Sequence, residues 1–172
     1  MKNDYRMYNL LLPIWLIIFV PTWLWLLLIP ANYLLDRIVL RWSLGDMPDK
    51  GLFCRRHNWK ICLAGFVSDF VGALLLIVFT FGLGMLTESG GPEFLEDAIG
   101  AVMMNPFANI LALIVTLAAV CVAGVCIYFL DIGILKRVGL DASQAHRSAI
   151  RLALITAPYV YLFPSQLLYN GV

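Results

Sequence analysis

The chain has 172 residues, of which 62% are hydrophobic and 13% are charged, and its net charge is +1. Soluble globular domains have about 25% charged residues, so this composition excludes an ordinary soluble domain and favours a single integral membrane domain. A net charge so close to zero gives no reason to expect a nucleic-acid partner.

The first apolar segment, residues 7–35, contains no charged side chain. Because roughly 20 apolar residues cross a bilayer core, a membrane-spanning helix is predicted over about residues 10–29. After Pro30, polar and apolar residues alternate as in a helix lying in the membrane interface, which we place at about residues 31–43. The alternative is a re-entrant hairpin bent at Pro21 with both ends on one side of the membrane, because tryptophans lie near the middle of the segment.

The second apolar segment predicts a spanning helix over residues 61–86, and it carries one charge, Asp69. Small residues recur around Asp69 at helical spacing and form one face of this helix. In lipid, small residues let helix backbones approach closely, so this face is predicted to pack against other helices. The residues assigned to it are Ala64, Ser68 and Gly72.

Two further spanning helices are predicted, over residues 106–135 and 148–168. Asp141 and Gln144 form a capping pair that indicates the start of the last helix, and Pro158 predicts a kink within it. Alanines recur every fourth residue in this helix and predict a second packing face. The alanines assigned to it are Ala149, Ala153 and Ala157.

The distribution of charge predicts the topology. Basic residues dominate the predicted loop at 44–60, whereas the charged residues of the predicted loop at 87–105 are all acidic. A short helix is predicted to begin within this second loop at Pro92. The positive-inside rule therefore places residues 36–60 and 136–147 in the cytoplasm and the acidic loop outside the plasma membrane.

The predicted fold is all-α: a polytopic bundle of four membrane-spanning helices with one or two short interfacial helices. The alternative fold has three spans and the N-terminal re-entrant hairpin. Both folds form a single integral membrane domain over residues 1–172.

The strongest candidate site consists of Asp69, Asp131 and Arg151. With a rise of about 1.5 Å per residue, all three lie within about 15 Å of the cytoplasmic boundary, so the arginine side chain is expected to reach either carboxylate. One interpretation is an intramembrane proton or ion site. The other is a structural ion pair that joins three helices, with Asp131 alternatively exposed to water at the interface.

Other clusters give weaker signals. Cys54, His57 and Cys62 match no familiar zinc spacing, even with Asp46 or Asp49, so no metal site is assigned. The basic loop that contains Cys54 is interpreted as lying near anionic lipid headgroups. The acidic loop fits no EF-hand spacing and is interpreted as solvated.

The sequence contains no nucleophile elbow, P-loop, dinucleotide fingerprint or zinc-protease motif, so no catalytic residue and no cofactor is assigned. The leading hypothesis is a non-enzymatic binding, assembly or scaffold component of a membrane complex. Its partners would be the lipid bilayer and either a second copy or another membrane protein. The alternative is an oligomeric small transporter or channel subunit with an acidic site at Asp69. A lipid-directed enzyme using Asp69, Asp131 or His57 is the third hypothesis.

Overall fold

The computed structural model describes residues 13–20, 23–87 and 91–169, and every regular element in them is helical. This confirms the all-α class for the described part of the chain. The α-helices are α1 Trp25–Ser43, α2 Lys50–Thr87, α3 Glu93–Met104, α4 Ile110–Arg137, α5 Ala142–Ile155 and α6 Gln166–Tyr169. The 3₁₀ helices are Ile14–Ile18, Pro106–Ala108 and Tyr159–Leu162.

Helices α2 and α4 form the centre of the structure and run in opposite directions. They have 38 and 28 residues, and both are long and apolar enough to cross a membrane. They approach closely at Gly72, where an added methyl group would lie 2.9 Å from the Ala119 carbonyl oxygen and 3.0 Å from Ala123 Cβ. Only a residue without a side chain fits this contact.

The division of the N-terminal segment at Pro30 is wrong. The predicted span at 10–29 and the predicted interfacial helix at 31–43 are replaced by the 3₁₀ helix Ile14–Ile18 and the continuous helix α1. Pro30 lies in the second turn of α1, where it removes one backbone hydrogen bond near the helix start without ending the helix. Residues 1–12, which include the first residues of that predicted span, lie outside the described residues.

The prediction of a loop over residues 44–60 is also wrong, because α2 begins at Lys50. The true connection is a tight turn in which Gly45 and Asp49 have positive φ angles of 57° and 55°. The Lys50 ammonium donates a 2.7 Å hydrogen bond to the Gly45 carbonyl oxygen. The hydropathy of the sequence identified only the apolar part of α2. Polar residues form helices as readily as apolar ones, so the polar first turns of α2 are helical without giving a hydropathy signal.

Side-chain caps start several helices. Asn105 Oδ1 accepts from Phe107 N, Asn109 Oδ1 accepts from Leu111 N, and Asp141 Oδ2 accepts from Ser143 N. The predicted start of α5 at Asp141 is therefore confirmed, and α3 confirms the short helix predicted after Pro92. The Gln144 amide completes no reciprocal cap; it donates instead to the Leu44 carbonyl oxygen at 3.2 Å.

The predicted regular span over residues 148–168 is wrong in its second half. Helix α5 ends at Ile155, and the 3₁₀ helix Tyr159–Leu162 and the short helix α6 follow. Pro158 disfavours helical geometry at the residue before it, so the helix stops rather than kinks.

Two apolar clusters lie at opposite ends of α2. One includes Leu40 and Ile61, and the other includes Trp15 and Leu76. The indole Nε1 of Trp15 donates to the Val102 carbonyl oxygen of α3 at 3.1 Å, on the side where α2 ends. The segment from the first 3₁₀ helix to the end of α1 therefore runs along most of the bundle, and its ends do not meet on one side as the hairpin alternative requires.

We predict opposite effects for two glycine substitutions in α2. Gly72→Ala introduces the close contacts given above and should lower the Tm of the detergent-solubilised protein, by the equivalent of about 1–3 kcal/mol. Gly82→Ala meets no atom within 4 Å and should raise the Tm, because alanine favours a helix over glycine. Thermal unfolding of both variants checks this, and an increase for Gly72→Ala would contradict the contact.

Candidate functional site

Three carboxyl groups from three different helices converge in the interior. Asp36 of α1 is 5% exposed and Asp131 of α4 is 1% exposed, while Asp69 of α2 is half-buried. Asp36 interacts electrostatically with both of the other carboxyl groups. It is therefore the central member of the group, which we call the acidic cluster.

The surroundings of Asp36 are small and polar. Its carboxyl group lies near the side chains of Thr156, just after α5, and Cys62 of α2. A methyl group added at Gly65 would lie 3.9 Å from Asp36 Oδ2, so the carboxyl group faces this glycine across the contact between α1 and α2. Residues of α2 and of the segment just after α5 thus surround one buried acid.

Two members of the acidic cluster have unsatisfied oxygen atoms. Asp69 Oδ1 and Asp131 Oδ1 are buried and have no hydrogen-bond partner among the described residues. A buried polar atom without a partner is costly, and a carboxyl group in that position can take up a proton, a water molecule or a cation. The burial of Asp131 also overturns the alternative that it lies in water at the interface.

The structure separates Arg151 from the acids with which the sequence grouped it. The Arg151 guanidinium lies over the Trp42 ring of α1, 4.4 Å from its centroid. Within the described part of the chain, neither Asp69 nor Asp131 has an ion pair with it. The cation–π contact accounts for the position of this half-buried arginine at the contact between α1 and α5.

Asp69 lines a cavity of about 500 Å³ where two helical segments are interrupted. One wall is the start of α1 with the 3₁₀ helix Ile14–Ile18, and another is the end of α5 with the 3₁₀ helix Tyr159–Leu162. The Tyr161 hydroxyl donates a 2.6 Å hydrogen bond to the Asp69 carbonyl oxygen. Both interruptions therefore lie beside one interior carboxyl group.

The two small-residue faces lie at helix contacts. In α2 the side chains of Ala64 and Ser68 are buried, and Gly72 contacts α4. In α5 Ala149 is fully buried, whereas Ala153 of α5 and Ala157, just beyond the helix end, are half-buried next to Gly124 of α4. These contacts hold α2 and α5 against α4, which carries Asp131 of the acidic cluster.

A polar cavity of about 320 Å³ is lined by α3, by the segment between α3 and α4, and by the start of α6. Its wall includes Asp97, Asn105, Asn109 and Gln166. Asn105 and Asn109 thus cap helix starts and also line this cavity. Part of its lining comes from the predicted acidic loop at 87–105.

The described residues contain no group of three His, Cys, Asp or Glu side chains that could hold a metal ion. Cys54 and Cys62 are buried in α2, and the His57 ring packs against Phe53 with centroids 4.8 Å apart. The carboxyl groups of the acidic cluster are likewise not arranged around one metal position. The cluster is better suited to protons, or to a cation held by one carboxylate.

The chain matches no protein-family model, no curated protein and no solved structure. No relative therefore supplies a role for any residue of the acidic cluster. Asp36 is the member that sequence reasoning missed, because Arg37 and Arg41 beside it made the segment resemble an interfacial helix. The available signal was its spacing: Asp36 lies four positions before Leu40, which is fully buried, and this spacing places both on one helix face.

We predict that Arg151→Gln and Asp69→Asn have independent effects on stability. Arg151→Gln should lower the Tm through lost packing on Trp42, and adding Asp69→Asn should change the unfolding free energy additively, within about 0.5 kcal/mol. The matched pair Arg151→Gln and Trp42→Ala should be clearly non-additive, because those side chains are in contact. Recovery of stability in the Arg151–Asp69 double variant would instead establish the ion pair suggested by the sequence.

Proposed function

We propose that this chain is a small membrane transporter or channel subunit that moves protons or small cations through the acidic cluster. The observation that carries the proposal is the convergence of Asp36, Asp69 and Asp131 in an apolar interior without a basic partner among the described residues. Ionisable groups inside membrane segments are costly, and they recur along ion and proton pathways. The alternative is that these acids form a structural ion pair with Arg151. This alternative is not supported, because the Arg151 guanidinium lies over the Trp42 ring.

The proposal requires that the chain cross the membrane four times. Helices α2 and α4 have the necessary length and hydropathy by themselves. We propose that the other two crossings are discontinuous: one joins the first 3₁₀ helix to α1, and the other joins α5 to α6. Their support is that described residues next to both interruptions line the same cavity, since non-helical backbone at membrane depth is tolerated where it lines a cavity.

The surface of the bundle agrees with a lipid environment. Large apolar side chains are exposed along α1, α2 and α4, among them Leu26, Val78 and Phe129. Monomeric soluble proteins rarely expose so much contiguous apolar surface. The plasma membrane as the specific location stays a prediction from the charge distribution.

We predict that Lys50 and the start of α5 are cytoplasmic and that α3 is external. Reporter fusions after residue 49 and after Glu96 should report opposite compartments, because the flanking charges differ in sign. A fusion after Gly139 should match the first. The same compartment for the fusions at 49 and 96 would exclude a membrane crossing by α2 and with it the proposed topology.

We predict that proton uptake into vesicles depends on Asp36. The purified protein is reconstituted, a potassium diffusion potential is imposed with valinomycin, and internal pH is followed with a trapped dye. Asp36→Asn should slow uptake at least tenfold, because Asp36 connects the other two carboxyl groups electrostatically.

The matched control for this measurement is Asp46→Asn, which alters an exposed carboxylate in the turn between α1 and α2. It should leave proton uptake at the wild-type rate. Wild-type uptake no faster than that of protein-free vesicles would contradict the proposed function, as would an unchanged rate in the Asp36→Asn variant.

The second candidate function is the assembly component expected from the sequence, and one observation favours it. An apolar groove of about 630 Å³ runs between α1 and α2, with Ile29, Leu63 and Val67 among its lining residues. A groove of this kind on a membrane surface can accept a helix of a partner or of a second copy. Oligomerisation itself stays a prediction.

A further inference from the structure

The cavity beside Asp69 combines aromatic side chains with one carboxyl group. Its walls carry five aromatic rings, from Trp15, Trp25, Phe66, Tyr159 and Tyr161, and one carboxylate. The other lining side chains are almost all apolar, and none is a lysine or arginine. Its volume of about 500 Å³ is that of a small-molecule site.

We propose that this cavity binds an organic cation: an ammonium or phosphonium group that carries an apolar body. Aromatic faces attract cations through their quadrupoles, and this attraction is strongest where water is excluded. Asp69 supplies the full negative charge that balances the ligand. The apolar body of the ligand would fill the part of the cavity lined by leucine and isoleucine side chains.

The helix ends around the cavity add to this preference. The C-terminal end of α5 at Ile155 lines the cavity, and a helix C-terminus carries a partial negative charge. The start of α1 lies on the opposite wall, but the amides of Leu26, Leu27 and Leu28 already donate to the carbonyl oxygens of Trp23 and Leu24. These amides are thus not free to bind an anion.

The cavity also reaches the apolar surface of the bundle. Leu27 and Val160 line it and are 64% and 48% exposed. In the proposed topology this surface faces lipid, so a lipophilic cation can enter from the bilayer. A lipid acyl chain could fill the same space, but it would not require the carboxylate at Asp69.

This inference deepens the proposed function and rests on it, because the same carboxylate would alternate between a proton and the cation. Binding of the cation to a protonated Asp69 releases one proton, so charge is conserved in the exchange. The acidic cluster then provides the route for that proton, and the cavity provides the site for the transported cation.

The test measures binding of tetraphenylphosphonium to the purified full chain in detergent by equilibrium dialysis. The control ligand is tetraphenylborate, which has nearly the same shape and the opposite charge. Tetraphenylphosphonium should bind saturably with one site per chain, and tetraphenylborate should bind at least tenfold more weakly. Asp69→Asn should weaken phosphonium binding at least tenfold.

A second pair of variants leaves Asp69 in place, in case Asp69→Asn fails to fold. Leu28→Trp narrows the cavity from its wall and should also weaken phosphonium binding at least tenfold. Leu26→Trp, on the exposed surface of the same helix and outside the cavity, should bind as the wild type does. Equal binding of the two ions would overturn the cation assignment, and so would phosphonium binding unaffected by Asp69→Asn and Leu28→Trp.

The two proposals fail in different ways. Asp36-dependent proton uptake without phosphonium binding would overturn the cation site and leave the proton pathway intact. Asp69-dependent phosphonium binding without proton uptake would support the cation site and overturn the proposed proton movement.

Discussion

The close approach of α2 and α4 at Gly72 is the contact on which the rest of the structure depends. The absence of a side chain there lets the Ala119 backbone reach α2, and it leaves space for the Tyr161 ring, 3.3 Å from where a methyl group would lie. That position brings the Tyr161 hydroxyl to the Asp69 carbonyl oxygen. The absence of a side chain at Gly72 therefore lets α2 and α4 pack closely together. It also lets Tyr161, in the 3₁₀ helix Tyr159–Leu162, contact α2 at Asp69, which lines the cavity.

The acidic cluster then follows from the packing of α1 and α5 around this centre. Asp36 is buried because α1 lies against Gly65 and Cys62 of α2 and close to Thr156. Three carboxyl groups in one apolar interior do not all carry a charge unless a cation balances them, because the repulsion is poorly screened there. Because Arg151 lies over Trp42, the negative charge of these carboxyl groups is left to be balanced by protons or by an external cation.

Much of the fold could be predicted from the sequence, and the errors have physical causes. Hydropathy located α2 and α4, because a run of apolar residues is the signal for a long helix in lipid. Capping by Asp141 located the start of α5, and the preference of proline for the beginning of a helix located α3 at Pro92. The effects of both prolines were predicted wrongly. Pro30, which was predicted to separate two helices, lies inside the continuous helix α1, whereas Pro158, which was predicted to kink a helix, follows the end of α5. A proline excludes only local geometries, so its effect depends on the packing around it.

The candidate site was only partly predictable for a related reason. Asp69 and Asp131 stand out as single charges in apolar runs, whereas Asp36 has the basic neighbours Arg37 and Arg41 in sequence, a pattern typical of an interfacial helix. The partner of Arg151 could not be predicted from depth alone, because depth does not specify the direction in which a side chain leaves its helix. The aromatic residues Trp42 and Tyr161 instead contact Arg151 and the Asp69 carbonyl oxygen, respectively.

The interruptions of the two helical segments connect the fold to the proposed function. A broken helix in a membrane leaves backbone groups that lipid cannot satisfy, so breaks are tolerated where protein packs around them or where they line a cavity within it. Here both breaks border the same cavity, and Asp69 lies in its wall. In transporters, discontinuous helices near the membrane midplane place helix ends and backbone carbonyl groups at the substrate. An arrangement that only held helices together would need neither break, since the small-residue contacts of α2, α4 and α5 already do so. The breaks are therefore better explained by the cavity that they form than by the stability of the bundle.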